Sequence, residues 1–181
     1  MNTTLPQSKI VIINGYSRVG KDTLIRRVKE KSGLRVEEWS VADLARETIC
    51  KVLDMYDDDL KQPQFADDYR QALISTTNLL KATGKVWQDL ENKIEYYDYY
   101  DDNWVDKLFV HCRETKDFSV IKRIAERWGW KLTTIWVMRQ AIDPANDQDA
   151  QAMYYNYDHT ILLPELDSES YNLIVDFLIK L

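Results

Sequence analysis

The chain is poor in the features that would assign it to several large classes of protein. Only two of its 181 residues are cysteine, Cys50 and Cys112. Two thiols 62 positions apart (112 − 50) make neither a disulfide framework nor a metal knuckle, and both read as reduced and buried. No apolar run is long enough to cross a bilayer, and residues 1–9 lack the apolar core of a secretory signal. The expected location is therefore cytoplasmic and no membrane partner is expected. Basic residues are not in excess either: the formal net charge is −6 and the isoelectric point about 5.0. Broad adhesion to nucleic acid comes from neutralising many phosphates, so a nucleic-acid partner is not expected. Internal repeats and low-complexity linkers are missing too, and 181 residues suit one sizeable core, so one domain spanning 1–181 is the expectation.

What is present begins with Ile10-Val11-Ile12-Ile13-Asn14, an apolar, β-branched run of the kind that forms a buried parallel strand. It empties into Gly15-Tyr16-Ser17-Arg18-Val19-Gly20-Lys21-Asp22-Thr23. After it, Leu24, Ile25 and Val28 share one helical face. Strand, glycine-framed loop and helix in that order are the context that a phosphate-binding P-loop demands. Its pattern is G-x-x-x-x-G-K-[ST]: the glycines let backbone N–H groups turn inward toward phosphate oxygens, and the lysine adds a cation. Gly15, Gly20 and Lys21 match; Asp22 stands where a hydroxyl normally helps hold Mg²⁺, with Thr23 one residue later.

Further along, 34–40 reads as a second strand with Val36 and Trp39 as its bulky positions. Ala45, Thr48, Ile49, Val52 and Leu53 form the apolar face of a helix that starts at Asp43 and closes at Asp57-Asp58-Asp59, a solvated acidic loop. Pro63 breaks the chain before a helix over 67–81 with Tyr69, Leu73, Thr76 and Leu80 on one side. Val86, Leu90, Ile94 and Tyr97 mark another helix, running into the aromatic and acidic segment Tyr96 to Trp104, which reads as packing against outer helices with its aspartates in water. A strand over 107–112, a helix over 117–128 closed by Gly129, and strands over 133–138 and 159–163 follow. Residues 140–156 read as a polar loop or short helix. The last helix begins at 167–170 and turns Tyr171, Ile174, Phe177, Leu178 and Leu181 inward. Strands alternating with helices predict a three-layer α/β/α sandwich on a parallel five-stranded sheet. Ligands of such sheets bind beyond the carboxyl ends of the strands, which singles out Asn14, Asp43, Arg113, Glu114 and Arg139.

The segment Gly15 to Thr23 resembles the P-loop of phage-type deoxynucleoside monophosphate kinases and animal phosphomevalonate kinases, where an aspartate likewise follows the lysine. Less specifically, Ser40 to Glu47, Asp68 to Leu73 and Phe109 to Glu114 are similar to substrate-side and strand-end segments of that group. The resemblance implies an adenylate-kinase-like fold with a helical acceptor-binding region over about 43–103 and a lid over about 139–157. It implies ATP and Mg²⁺ as cofactors and γ-phosphoryl transfer to a small phosphorylated acceptor, most simply a nucleoside monophosphate. Lys21 would contact the β- and γ-phosphates, within a nucleotide site made of Gly15, Tyr16, Ser17, Arg18, Val19, Gly20, Lys21, Asp22 and Thr23. Asp22 or Thr23 would hold Mg²⁺, Arg70 would clamp the acceptor phosphate and Asp43 would orient the acceptor. Arg113 and Arg139 would neutralise charge during transfer.

The chain departs from that pattern in two places. Residues 140–156 contain no arginine, where such lids usually carry several, so Arg18 and Arg139 would have to suffice. The third strand ends His111-Cys112 without an acid, leaving Glu114 as the substitute metal ligand. Blander roles compete: Asp43 as a helix cap, Arg70 as a surface ion-pair partner, His111 as a hydrogen-bonded core residue. A nucleotide-binding module without transfer, a P-loop kinase for a non-nucleotide acceptor, and a homodimer all stay open.

Overall fold

Ile10, Val11, Ile12 and Ile13 are each at most 1% exposed, as only a strand covered on both faces allows. The computed structural model describes residues 8–99, 104–140, 142, 152–166 and 168–181. In it, this run belongs to β1 (Lys9–Gly15), the middle strand of a five-stranded sheet. With β2 (Val36–Ser40), β3 (Lys107–His111), β4 (Lys131–Arg139) and β5 (His159–Leu163), the strand order is β2-β3-β1-β4-β5, and every pairing is parallel. Parallel neighbours need long crossovers. Among the described residues, α1 (Lys21–Ser32) lies between β1 and β2, and α2 (Asp43–Leu53), α3 (Asp57–Leu60), α4 (Ala66–Ala82) and α5 (Lys85–Tyr99) lie between β2 and β3. Helix α6 (Phe118–Arg127) lies between β3 and β4, and α7 (Glu169–Lys180) follows β5.

Alternation along β1 divides the core between the two faces of the sheet. Val11 and Ile13 pack with Leu24, Ile25 and Val28 of α1 and with Tyr171, Val175 and Leu178 of α7. Ile10 and Ile12 pack with Leu90 and Ile94 of α5 and with Phe118 and Ile121 of α6. The result is the three-layer α/β/α sandwich that the strand and helix order predicts. A satellite core of Ile49, Leu60 and Tyr69 joins α2, α3 and α4 beside it.

Several local expectations need correction. Helix α2 ends at Leu53, because Asp54 takes a left-handed conformation (φ 51°) and sends its N–H back to the Cys50 carbonyl. Val52, 77% exposed, and Leu53, 52% exposed, lie in the last turn of the helix and are not buried as the spacing predicts. Asp57 to Asp59 form the short helix α3, not a loop, and the Asp57 carboxylate is drawn in by Lys61, Tyr69 and Arg46. Those partners hold Asp57 below its ordinary pKa against the opposing effect of burial. Phe177 is 38% exposed and Val175 takes the buried place on α7. Cys112 is buried but Cys50 is only half-buried. Of the segments 139–157 and 96–104, residues 141, 143–151 and 100–103 lie outside the described residues.

One long-range tie closes the sheet end opposite the Gly15–Gly20 loop. Lys107 is 3% exposed, and its Nζ donates to the carbonyls of Leu178 and Ile179, both at 2.5 Å, in the last turn of α7. Lys9 reaches the Leu181 carbonyl next to them. Burial, followed by the charge of Lys9, lowers Lys107 from 10.5 to about 8. Between about pH 8 and 10.5 the folded chain thus sheds a proton that the unfolded chain keeps, so this group adds stability as pH rises through that window. Lys107→Met should lose about 1–3 kcal/mol by stranding two carbonyls. In denaturant melts, the wild-type advantage over Lys107→Met should be flat below pH 8 and grow from there toward pH 10; an advantage that shrinks with rising pH would contradict the account.

Candidate nucleotide site

Gly15 is the point where the sheet becomes a loop. Its register partner on β4 is Val137, and a Cβ on Gly15 would lie 2.1 Å from the Val137 carbonyl oxygen. At φ 147° the backbone is also in a region that side chains rarely enter, so glycine is required on two counts. The chain then turns through a left-handed Arg18 (φ 64°) and Gly20 (φ 102°) before α1 begins. The Val19 N–H closes the turn onto the Tyr16 carbonyl at 3.5 Å. No side chain caps α1, leaving its first-turn amides and the positive end of its dipole facing the loop.

Two cations flank this loop. Lys21 Nζ folds back on the carbonyls of Gly15 at 2.8 Å and Tyr16 at 2.9 Å. Arg139, the last residue of β4, lays its guanidinium over Gly20: a Cβ there would meet Nη2 at 3.6 Å and Cζ at 3.9 Å. The Arg139 Nε is buried with no hydrogen-bond partner among the described residues. Topology therefore brings Lys21 and Arg139, 118 residues apart (139 − 21), to one loop.

Oxygen donors suited to a hard divalent ion are present at the same helix start. Asp22 is exposed and its carboxylate has no partner among the described residues, and the half-buried Thr23 is next to it. The set fits Mg²⁺ in the manner of a site completed by phosphates and water. Glu114 is placed differently. Its carboxylate is engaged by Lys116 at 2.6 Å and Lys81 at 3.2 Å. Burial would raise its pKa, yet these lysines outweigh burial and hold it below the ordinary value. Among the described residues no three acids, histidines or cysteines converge as a metal cluster.

The residues expected on the acceptor side are placed as follows. Asp43 is the first residue of α2 and does not cap it; Oδ2 accepts from the Ser40 N–H at 2.7 Å and Oδ1 from Arg46 Nη1 at 2.7 Å. Arg46 passes the charge on to Asp57 at 3.4 Å, and Asp57 accepts from the Tyr69 hydroxyl, whose pKa burial and then Asp57 push up to about 12. Arg70 is exposed on α4 without a partner among the described residues, neither ion-paired nor drawn to the loop. Arg113 is exposed just beyond β3. His111 is half-buried and meets Glu38 of β2 at 3.1 Å, a hydrogen-bonded position between strands.

Asn14 carried no role in the sequence beyond its place at a strand end, yet it is 4% exposed and makes three hydrogen bonds around the loop entry. A polar residue inside an otherwise apolar strand, directly before the glycine, was the available signal. Away from the loop, a groove of about 610 Å³ lies at the amino-terminal ends of β2 and β3, lined by Tyr96, Tyr97, Trp104, Lys29, Arg35 and Glu37 among others. It is at the end of the sheet opposite the one where parallel α/β sheets bind ligands, so the loop is the better candidate.

No protein-family model matches the sequence, and no curated protein matches it. Solved structures do. A candidate kinase from Chloroflexus aurantiacus is similar at a TM-score of 0.53 with 12% identity, over 96% of this chain and 98% of the other. The protein APE1195 is similar at 0.51 with 16% identity, over 97% and 95%. At such identities the likeness is one of fold, and it extends over nearly the whole of each chain.

The tight approach at Gly15 generates a sharp expectation. Gly15→Ala should destabilise the fold by about 3 kcal/mol or more, since β1 and β4 would have to part. Gly33→Ala, where a Cβ meets nothing within 4 Å, should cost only about 1 kcal/mol from its left-handed backbone. Equal melting curves for the two variants would contradict this assignment.

Proposed function

We propose that the chain is an ATP-dependent phosphotransferase that uses the Gly15–Thr23 loop for the nucleotide and passes the γ-phosphoryl group to a small phosphorylated acceptor, most simply a (deoxy)nucleoside monophosphate. The observation that carries the proposal is the pairing of Lys21 and Arg139 across an uncapped helix start directly after a buried parallel strand. Backbone N–H groups of the loop and of the first turn of α1 would receive the β- and γ-phosphates. Lys21 would exchange its two carbonyl partners for phosphate oxygens, and Arg139 would bring its unsatisfied Nε and its charge to the transferring group. Asp22 and Thr23 would hold Mg²⁺, which when bound would supply positive charge to offset that of the donor phosphates.

In the transfer itself, an acceptor phosphate oxygen forms the new bond to the γ-phosphorus while the β–γ bridging bond breaks, its electrons leaving with ADP. Protein groups have little covalent work in such a reaction; position and charge dominate. Arg113 beyond β3 and the exposed Arg70 of α4 are the cations proposed for the acceptor phosphate. Asp43 would orient the acceptor only by giving up Ser40 N–H or Arg46. That commitment favours a second reading, nucleotide binding without transfer. A kinase for a non-nucleotide phosphorylated acceptor would use the same loop.

Coupled assay with ATP, Mg²⁺ and a panel of ribo- and deoxynucleoside monophosphates separates these readings. Acceptor-dependent ADP release with at least one member is expected. Lys21→Met and Arg139→Ala should each lower kcat/KM by roughly 10²–10³-fold, the scale of losing one charge-stabilising donor. ATP binding with no acceptor-dependent ADP release from any nucleotide would overturn the nucleotide-kinase assignment and favour the alternatives.

A further inference from the structure

The P-loop entry is held by a buried carboxamide whose orientation the surroundings dictate. Asn14 Oδ1 accepts from the Gly15 N–H at 2.8 Å. Its Nδ2 donates to the Arg113 carbonyl at 3.2 Å and to the Tyr157 hydroxyl oxygen at 3.1 Å. A backbone N–H can only donate and a carbonyl can only accept, so the oxygen must face Gly15 and the nitrogen must face Arg113. Both amide hydrogens are then used. Tyr157 passes its own hydroxyl hydrogen to the Ala152 carbonyl at 3.0 Å, and its ring lies 5.4 Å from Trp136, which in turn meets Tyr16 at 5.2 Å.

This arrangement fixes Gly15 from both ends. Its N–H is taken by Asn14 and its carbonyl by Lys21. The first peptide units of the loop are consequently set by side chains, one of which also touches the backbone of Arg113 beyond β3 and, through Tyr157, the segment that leads into β5. Resting on the nucleotide-binding reading above, we propose that Asn14 is a positioning residue for the nucleotide: through its hydrogen bonds to Gly15, Arg113 and Tyr157 it registers the P-loop against the strand ends that carry the other site groups. Small displacements matter at such a site, where about 1 Å of misplacement can cost roughly 10²-fold in rate.

Asn14→Asp keeps shape and the acceptor for Gly15 but sets oxygen against the Arg113 carbonyl. Tyr157→Phe keeps the ring against Trp136 and removes only the hydroxyl. ATP dissociation constants with Mg²⁺, measured by calorimetry beside thermal melts, KM for ATP and kcat, decide the matter. Asn14→Asp should weaken ATP binding by about tenfold, and Tyr157→Phe by about threefold with little change in melting, the scale of a lost neutral hydrogen bond. The double variant should bind no worse than Asn14→Asp, because Tyr157 acts through Asn14. Wild-type ATP affinity in both single variants would overturn the proposal and leave Asn14 a purely structural residue. Should Asn14→Asp fail to fold, unchanged affinity in Tyr157→Phe overturns it alone. Wild-type protein that takes up no ATP would overturn the nucleotide reading, and this proposal with it.

Discussion

The approach of β1 to β4 at Gly15 is the constraint on which the carboxyl end of the sheet depends. With a Cβ at that position only 2.1 Å from the Val137 carbonyl, the strand pair can stay in register to its last residue only if the position has no side chain. Register to the last residue is what brings Arg139, two residues past Val137, over Gly20. It also places Asn14 opposite Trp136, within reach of Tyr157. A wider gap at Gly15 would move the loop away from Arg139. The glycine therefore does more than permit a turn; it sets how far β4 and the loop stand apart.

Charge is organised around the same point. The chain as a whole carries a net −6, yet Arg18, Lys21, Arg113 and Arg139 all lie at or just beyond the carboxyl ends of strands or in the loop between them. Several acids are paired with nearby cations: Asp43 and Asp57 with Arg46, Glu114 and Asp117 with Lys81, Glu38 with Lys29 and His111. Asp22 is the exception at the loop, with no partner among the described residues. On the proposed reading, a local field of this sign attracts a polyphosphate in spite of the overall charge.

Much of the fold was legible because its signals are local. Spacing alone places Leu24, Ile25 and Val28, and Val86, Leu90 and Ile94, on apolar helix faces, and all six are fully buried. Strand-loop-helix order around Gly15 was readable for the same reason. What spacing could not reveal is whether an apolar face meets a partner: Val52 and Leu53 continue the pattern of α2 after the last packed turn, and Asp54 ends the helix instead. Contacts between distant segments were equally hidden. Lys107 at the end of α7, Lys81 on Glu114 and the Asn14–Tyr157 pair each join residues separated by more than thirty positions, and no periodicity encodes them. In the candidate site, the loop residues were visible as a motif, whereas Arg139 over Gly20 emerges only from strand register.

A crystal structure of the protein with Mg²⁺ and a non-hydrolysable ATP analogue tests the central claim most directly. Phosphates are expected in the Gly15–Gly20 loop, with Lys21 Nζ released from the Gly15 and Tyr16 carbonyls onto phosphate oxygens and Arg139 in contact with the terminal phosphate. Nucleotide bound instead in the aromatic groove of Tyr96, Tyr97 and Trp104, or an empty loop at saturating analogue, would contradict it.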